Sequence, residues 1–276
     1  METIDLDDWN GFPKAVADIR ARFGQRTIER NGKQLTVENE VVFRGQADSD
    51  WDLETTLERI SSDRITVQTY LERATSITCE LETVSGRRWN LPSWPKIRDQ
   101  INEAQDSMRP ILPCYEYLVY LRHHGYPSPL LDWSRSPYVA AYFALESGNS
   151  ADRCAVYAFI ELPDGGKALT GGRPRIKTMG SFVTSHIRHV AQKAQYTIAT
   201  EWDRGVSSHY FCSHHSVRSP LPNSQDILVK ITIPRTERIA ALKQLEDYNI
   251  NHYTLFQSED GLVRSLAMRS LELDGT

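Results

Sequence analysis

Apolar residues recur along this chain with two different periods, and the change of period divides it. In residues 13–23, Ala15, Val16, Ile19 and Phe23 fall on one side of a helix with Pro13 near its start. Asn31-Gly32 marks a turn, after which Leu35 to Phe43 reads as a hairpin partner and a strand ending at Arg44-Gly45. From Leu53 to about Val84 the spacing is helical, interrupted around Ser61-Ser62-Asp63. Gly86 to Pro95 reads as a loop carrying Trp89 and Trp94, and two helices follow, Ile97 to Met108 and Ile111 to His124, the latter closed by Gly125. The next helix is the best marked. Ser136 can cap its first amides, Pro137 suits its first position, and Gly148 can end it just beyond Ser147. This leaves Asp132, Trp133 and Ser134 in a loop at the mouth of a buried helix, where outward-pointing N–H groups favour an anion.

Beyond that helix the texture becomes strand-like. Cys154 to Leu162 reads as a buried strand, Asp226 to Ile233 as another with partial alternation, and Tyr196 to Trp202 as a third. The Gly-rich stretch Pro163 to Pro174 is a loop, and Arg235 to Asp247 and Glu259 to Leu271 are helical. No repeat, low-complexity tract or linker divides the chain. The expectation is one α+β domain over residues 1–276, with a helical first half packed on a strand-rich second half. Residues 1–34 would be an N-terminal helical extension to a core of 35–270.

Composition narrows the class. Hydrophobic residues make up 40% and charged residues 25%, as in a soluble globular protein. A net charge of −4 gives no global attraction to nucleic acid or an acidic membrane, so any phosphate site must be local. The acidic start Met-Glu-Thr-Ile-Asp-Leu-Asp-Asp is not a signal peptide, and no apolar run reaches the ~18 residues of a membrane helix. Cys79, Cys114, Cys154 and Cys212 lack paired spacing, which fits a reduced cytoplasmic setting. Neither Gly-x-Gly-x-x-Gly nor Gly-Lys-Ser/Thr occurs, and Thr170-Gly171-Gly172-Arg173-Pro174-Arg175 is only a flexible basic turn.

Several residues could carry chemistry. Arg44 offers a planar, permanently charged fork for a diphosphate or carboxylate, or it pairs with a structural acid such as Asp132. Gly45 would let a ligand or another backbone approach closely. His123-His124 stands at a helix C-terminus, where one histidine is explained as a cap and His123 could donate to a phosphate or act as a base. Gln192, Tyr196 and Glu201 supply an amide that can orient a sugar hydroxyl, an aromatic that can stack, and a carboxylate; alternatively they form a polar edge with Tyr196 in the core. His209-x-x-Cys212-x-His214-His215 has zinc-type ligands in a spacing unlike a known finger, so an exposed polar loop is preferred and no metal is expected.

Val41-Val42-Phe43-Arg44-Gly45-Gln46, then Trp51 and Leu53, and later His123-His124-Gly125-Tyr126-Pro127-Ser128-Pro129-Leu130-Leu131-Asp132-Trp133 with Pro137, Ala140 and Phe143, together resemble the FRG domain family. A softer third echo is Arg188, Gln192, Tyr196 and Thr197, and the resemblance spans about residues 38 to 265. Arg122 stands where the family has Gln, Ser128 where it has Thr, Pro129 where Arg is frequent and Ala194 where Gly is expected.

The layout of the resemblance is similar to that of ADP-ribosyltransferases, which implies their fold and an NAD-consuming effector or toxin in bacterial phage defence or genetic conflict. It implies NAD or another nucleotide as ligand, an acceptor macromolecule, room for a neutralising protein partner, and no membrane. Arg44, Gly45, Gln46, Trp133 and Tyr196 would then hold NAD, and Arg44, His123, Asp132, Ser134 and Gln192 would form the catalytic set. The four departures favour the competing reading, a non-catalytic module binding a nucleotide or a partner. A metal-dependent nuclease would lack the paired carboxylates it needs.

Overall fold

The computed structural model describes all residues except 31, 62, 104–111, 162–174, 181–182, 184–186, 204, 206, 215–225 and 275–276. Its strands are β1 (Glu2–Asp5), β2 (Gln25–Arg30), β3 (Lys33–Glu38), β4 (Val41–Gln46), β5 (Leu131–Ser134), β6 (Arg153–Ile160), β7 (Arg175–Thr178), β8 (Ala194–Asp203), β9 (Ser208–Phe211) and β10 (Ile227–Pro234). Its α-helices are α1 (Phe12–Phe23), α2 (Thr56–Ile60), α3 (Val67–Ser76), α4 (Thr78–Ser85), α5 (Trp94–Glu103), α6 (Tyr115–His123), α7 (Pro137–Leu145), α8 (Ile187–Ala191), α9 (Arg238–Asp247), α10 (His252–Phe256) and α11 (Glu259–Met268).

One mixed sheet of eight strands organises the α+β fold, in the order β1-β10-β6-β4-β5-β8-β7, with β9 also on β8; β2 and β3 form a separate hairpin. The sheet draws on both halves of the chain, so the first half is less purely helical than its spacing suggested. Leu35 to Phe43 is divided between the hairpin strand β3 and β4 of the main sheet. Residues 1–34 belong to this body: β1 runs parallel to β10, and Phe12, Val16 and Ile19 of α1 are buried in its core.

Alternation along the strands explains the layers. Phe43 on β4 and Val156 and Ala158 on β6 face a core built with α1, α7 and α9. Tyr196 and Ile198 on β8 face a second core built with α3, α5 and α6. Phe43 pairs with Ser134 and Asp132 with Tyr196, so these two cores lie side by side on the same face of the sheet. Val42, Trp133, Tyr157 and Phe159 fill a third core on the opposite face.

The join between the two cores is the weakest rung. β6 pairs with β4 along Val41–Gln46, whereas β4 meets β5 through Phe43 and Ser134 alone. Asp132, Trp133 and Ser134 are therefore a short central strand where the sequence suggested a loop. Four residues carry too little periodicity to announce a strand, and the nearby helix start dominates the local signal. Helix α7 begins as expected, with Ser136 Oγ accepting from the Val139 amide and Pro137 at the first position. It ends at Leu145, ahead of Gly148.

Gly45 is where α7 rests on β4. A Cβ there would stand 1.9 Å from the Ala140 carbonyl oxygen and 2.6 Å from the Ala144 nitrogen, so the backbone that approaches this glycine is the helix. Gly45→Ala should destabilise the protein by about 2–3 kcal/mol through forced separation of helix and strand. Gly148→Ala, where the added carbon meets nothing within 4 Å, should change stability by about 0.5 kcal/mol or less. Urea unfolding of both variants tests this; equal midpoints would show that α7 does not press on Gly45.

Candidate functional site

A cavity of about 360 Å3 opens where β4 and β5 part. Phe43, Arg44 and Gly45 line it from β4, Asp132, Trp133 and Ser134 from β5, and Ala194 and Tyr196 from β8. Helix α6 contributes Arg122 and His123, α7 contributes Ala140 and Phe143, α8 contributes Arg188, and α10 contributes Phe256; Gln192 follows α8. The sequence candidates thus come together from three distant segments, with one exception. Gln46 is buried, does not line the cavity, and donates its amide to the Asp52 carbonyl at 2.8 Å.

Asp132 is the hub. Its carboxylate is gripped side-on by Arg122, through Nε and Nη2, while Arg122 Nη1 donates to Thr56 Oγ1 at 3.2 Å. Its backbone carbonyl accepts from Arg44 Nη1 at 2.8 Å. The ion-pair partner of Asp132 is thus Arg122, not Arg44. Arg122, which the family pattern would make a glutamine, is the cation that an acid flanked by Leu131 and Trp133 requires.

The electrostatics follow from this arrangement. Burial would raise the Asp132 carboxyl, but the Arg122 charge and hydrogen bonds, with Arg44 and His123 behind them, hold it below the ordinary carboxylate range. Burial pulls Arg44 down to about 10, opposed by Asp132 and reinforced by Arg122 and Arg59, so Arg44 stays cationic at neutral pH. The lining holds three arginines against one carboxylate, a formal excess of two positive charges without counting His123. The whole chain carries −4, so this positive charge is local.

The remaining candidates divide by what they touch. Ser134 Oγ donates to the Gln192 carbonyl at 2.7 Å and accepts from the Ser136 amide at 3.0 Å, which ties the start of α7 to the segment after α8. The Gln192 amide donates to the Leu255 carbonyl at 3.2 Å. Tyr196 Oη lies 3.0 Å from His123 Nε2. Burial, then the negative charge of Asp132, raises the Tyr196 phenol, which keeps its proton and donates here when His123 carries its own on Nδ1. Trp133 is a core residue whose Nε1 donates to Thr197 Oγ1 at 2.8 Å and whose ring lies against Phe159. Glu201 is away from the cavity, paired with Arg64.

The His-Cys cluster has other partners. His214 is buried with Nε2 2.9 Å from Thr197 Oγ1, and burial, helped by Arg44, lowers it to about 3, so it is neutral. His209 packs edge-on to Trp202, and His215 lies outside the described residues, as does the loop at Pro163 to Pro174. Among the described residues no group of three His, Cys, Asp or Glu could hold a metal. Among the described helices none is long and apolar enough to cross a membrane.

Residues 39–153 match the FRG domain family, so this chain carries an FRG domain. The match includes Arg44, Arg122, His123 and Asp132 and stops before the segment of Arg188, Gln192 and Tyr196. No curated protein and no solved structure matches the chain.

Arg122→Gln should leave Asp132 unpaired, cost about 1–3 kcal/mol and raise the Asp132 pKa, with the side chain's opening onto the cavity moderating the loss. A depressed carboxylate stabilises the fold above its unfolded pKa of about 3.9 and ceases to as pH falls. The stability gap between wild type and variant should therefore be full at pH 7 and shrink as pH falls through 4. Urea midpoints across that range measure it, and a constant gap would show that Asp132 is not the titrating partner of Arg122.

Proposed function

We propose that the cavity binds NAD and that the protein is an ADP-ribosyltransferase-like effector. The observation that carries this reading is the excess of arginine in a closed crevice of an acidic chain, which suits a diphosphate. The volume of about 360 Å3 falls within the range of small-molecule sites. The family resemblance supplies the expectation of NAD and of a role as a toxin or in phage defence.

In this reading Arg44 holds the diphosphate, Gln192 orients a ribose hydroxyl, and Asp132 with Arg122 fixes the floor on which Arg44 rests. The nicotinamide C–N bond breaks with its electron pair leaving on nicotinamide. The acceptor's oxygen or nitrogen then bonds to the ribose anomeric carbon and gives its proton to a base, for which His123 is placed. Such catalysis is positioning plus electrostatics. One observation favours a second reading, a nucleotide-binding module without turnover. The single lining carboxylate is locked by Arg122, and the Ser134 hydroxyl is already engaged with backbone groups.

Incubation with labelled NAD and cell extract, followed by tracing the label into protein and nucleic acid, separates the two. Arg44→Ala should abolish transfer and weaken NAD binding by about ten- to a hundredfold, the worth of a charge-assisted phosphate contact. Gln192→Ala should lower turnover more than binding, because its contact strengthens as the ribose becomes cationic. Calorimetric heat with no transfer would favour the binding module; no heat with millimolar NAD would sink both NAD readings.

A further inference from the structure

The cavity's arginines are not equivalent. Arg122 uses Nε and Nη2 on Asp132 and Nη1 on Thr56, so its guanidinium is committed to the protein. Arg44 spends Nη1 on the Asp132 carbonyl, while its Nε is buried with no hydrogen-bond partner among the described residues. An unpartnered buried donor on a cation is costly, and a ligand oxygen that draws the guanidinium toward the cavity would relieve it.

Arg188 reaches the cavity from the opposite wall, and its guanidinium lies over the Phe256 ring, 5.1 Å from the centroid. Phe256 is itself held from behind. The His252 ring stacks on it at 4.1 Å and 16°, and His252 Nδ1 sits 3.1 Å from Glu146 Oε2 at the end of α7. Asn251 caps α10 through a reciprocal box with Thr254, and the Gln192 amide ties the α8 segment to Leu255 of the same helix.

We propose that Arg44 and Arg188 form a two-armed site for two linked phosphates, and that Phe256 is the positioning residue that aims Arg188. The proposal rests on reading this cavity as a nucleotide site and deepens it. It assigns half of the anion recognition to α8 and α10, beyond the FRG-matched residues 39–153. The chemical class of ligand is a diphosphate, one phosphate facing each wall.

Calorimetry on the full chain with inorganic pyrophosphate and with orthophosphate tests it without requiring NAD turnover. Pyrophosphate should bind at least about tenfold more tightly than orthophosphate. Arg188→Ala and Phe256→Leu should each weaken pyrophosphate binding by about tenfold, whereas Phe256→Tyr, which keeps the ring, should retain it. The double variant Arg188→Ala/Phe256→Leu should be no weaker than Arg188→Ala alone, because Phe256 acts through Arg188. A merely structural role for Phe256 would make the two losses add, and that result would overturn the proposal. Equal affinity for the two anions, or binding of neither, would overturn it as well, and that wild-type comparison stands even where a variant does not fold. Pyrophosphate binding without NAD transfer would leave this inference and remove the transferase reading. Transfer without a preference for pyrophosphate would do the reverse.

Discussion

The β4–β5 join governs the rest of the molecule. A sheet whose central strands share only Phe43 and Ser134 in register cannot be held there by its backbone ladder. Side chains take over: Arg44 donates across the gap to the Asp132 carbonyl, and Arg122 clamps the Asp132 carboxylate from α6. Gly45 meanwhile lets α7 sit directly against β4 and close the crevice from its other side. The opening that results is unavoidable, because the two cores on this face belong to different strands and do not merge. The groups that bridge the gap are charged, so the crevice they leave is charged too. Architecture and binding capacity thus have one origin.

This makes the tripeptide Phe43-Arg44-Gly45 intelligible residue by residue. Phe43 faces the core shared with α1 and α7, Arg44 crosses to β5, and Gly45 admits the helix backbone. Three successive positions of one strand therefore serve packing, bridging and close approach. The Leu-Leu-Asp-Trp segment divides in the same way: Leu131 and Trp133 fill the opposite core while Asp132 turns to the cavity. Strand alternation alone requires the acid and the tryptophan to point apart, which is why Trp133 bonds Thr197 in the core and Asp132 meets Arg122.

Much of this was legible in the chain. The start of α7, the buried strand β6 and the helices α1 and α9 followed from caps and periodicity, because each signal is local. Convergence of Arg44, His123 and Asp132 was readable only through the family resemblance, since no local pattern links residues that distant. What stayed hidden had weak local signal. β5 is four residues long, and β1 is a four-residue edge strand whose partner β10 lies at the far end of the chain. Arg122 looked like a departure from a motif, yet an acid set among Leu130, Leu131 and Trp133 demands a buried cation. The arginine ten residues earlier was the available one. Phe256 and Arg188 gave no signal, because an aromatic that serves an arginine reads in sequence as ordinary core.

The division of labour among the arginines sets what the cavity can do. A guanidinium already paired with a carboxylate gains little from a phosphate, because binding would have to break a bidentate contact first. Arg122 therefore belongs to the scaffold although it lines the cavity, and its charge is largely cancelled by Asp132. The positive field available to a ligand comes from Arg44 and Arg188, which stand on elements from the two ends of the cavity lining, β4 and α8. Two cations held apart by a rigid pair favour an anion that also has two separated charges over one that concentrates them. The same scaffold leaves no free carboxylate on the lining. Any chemistry at this site must accordingly draw its negative field from the ligand itself or from the acceptor, which makes the acceptor part of the active arrangement.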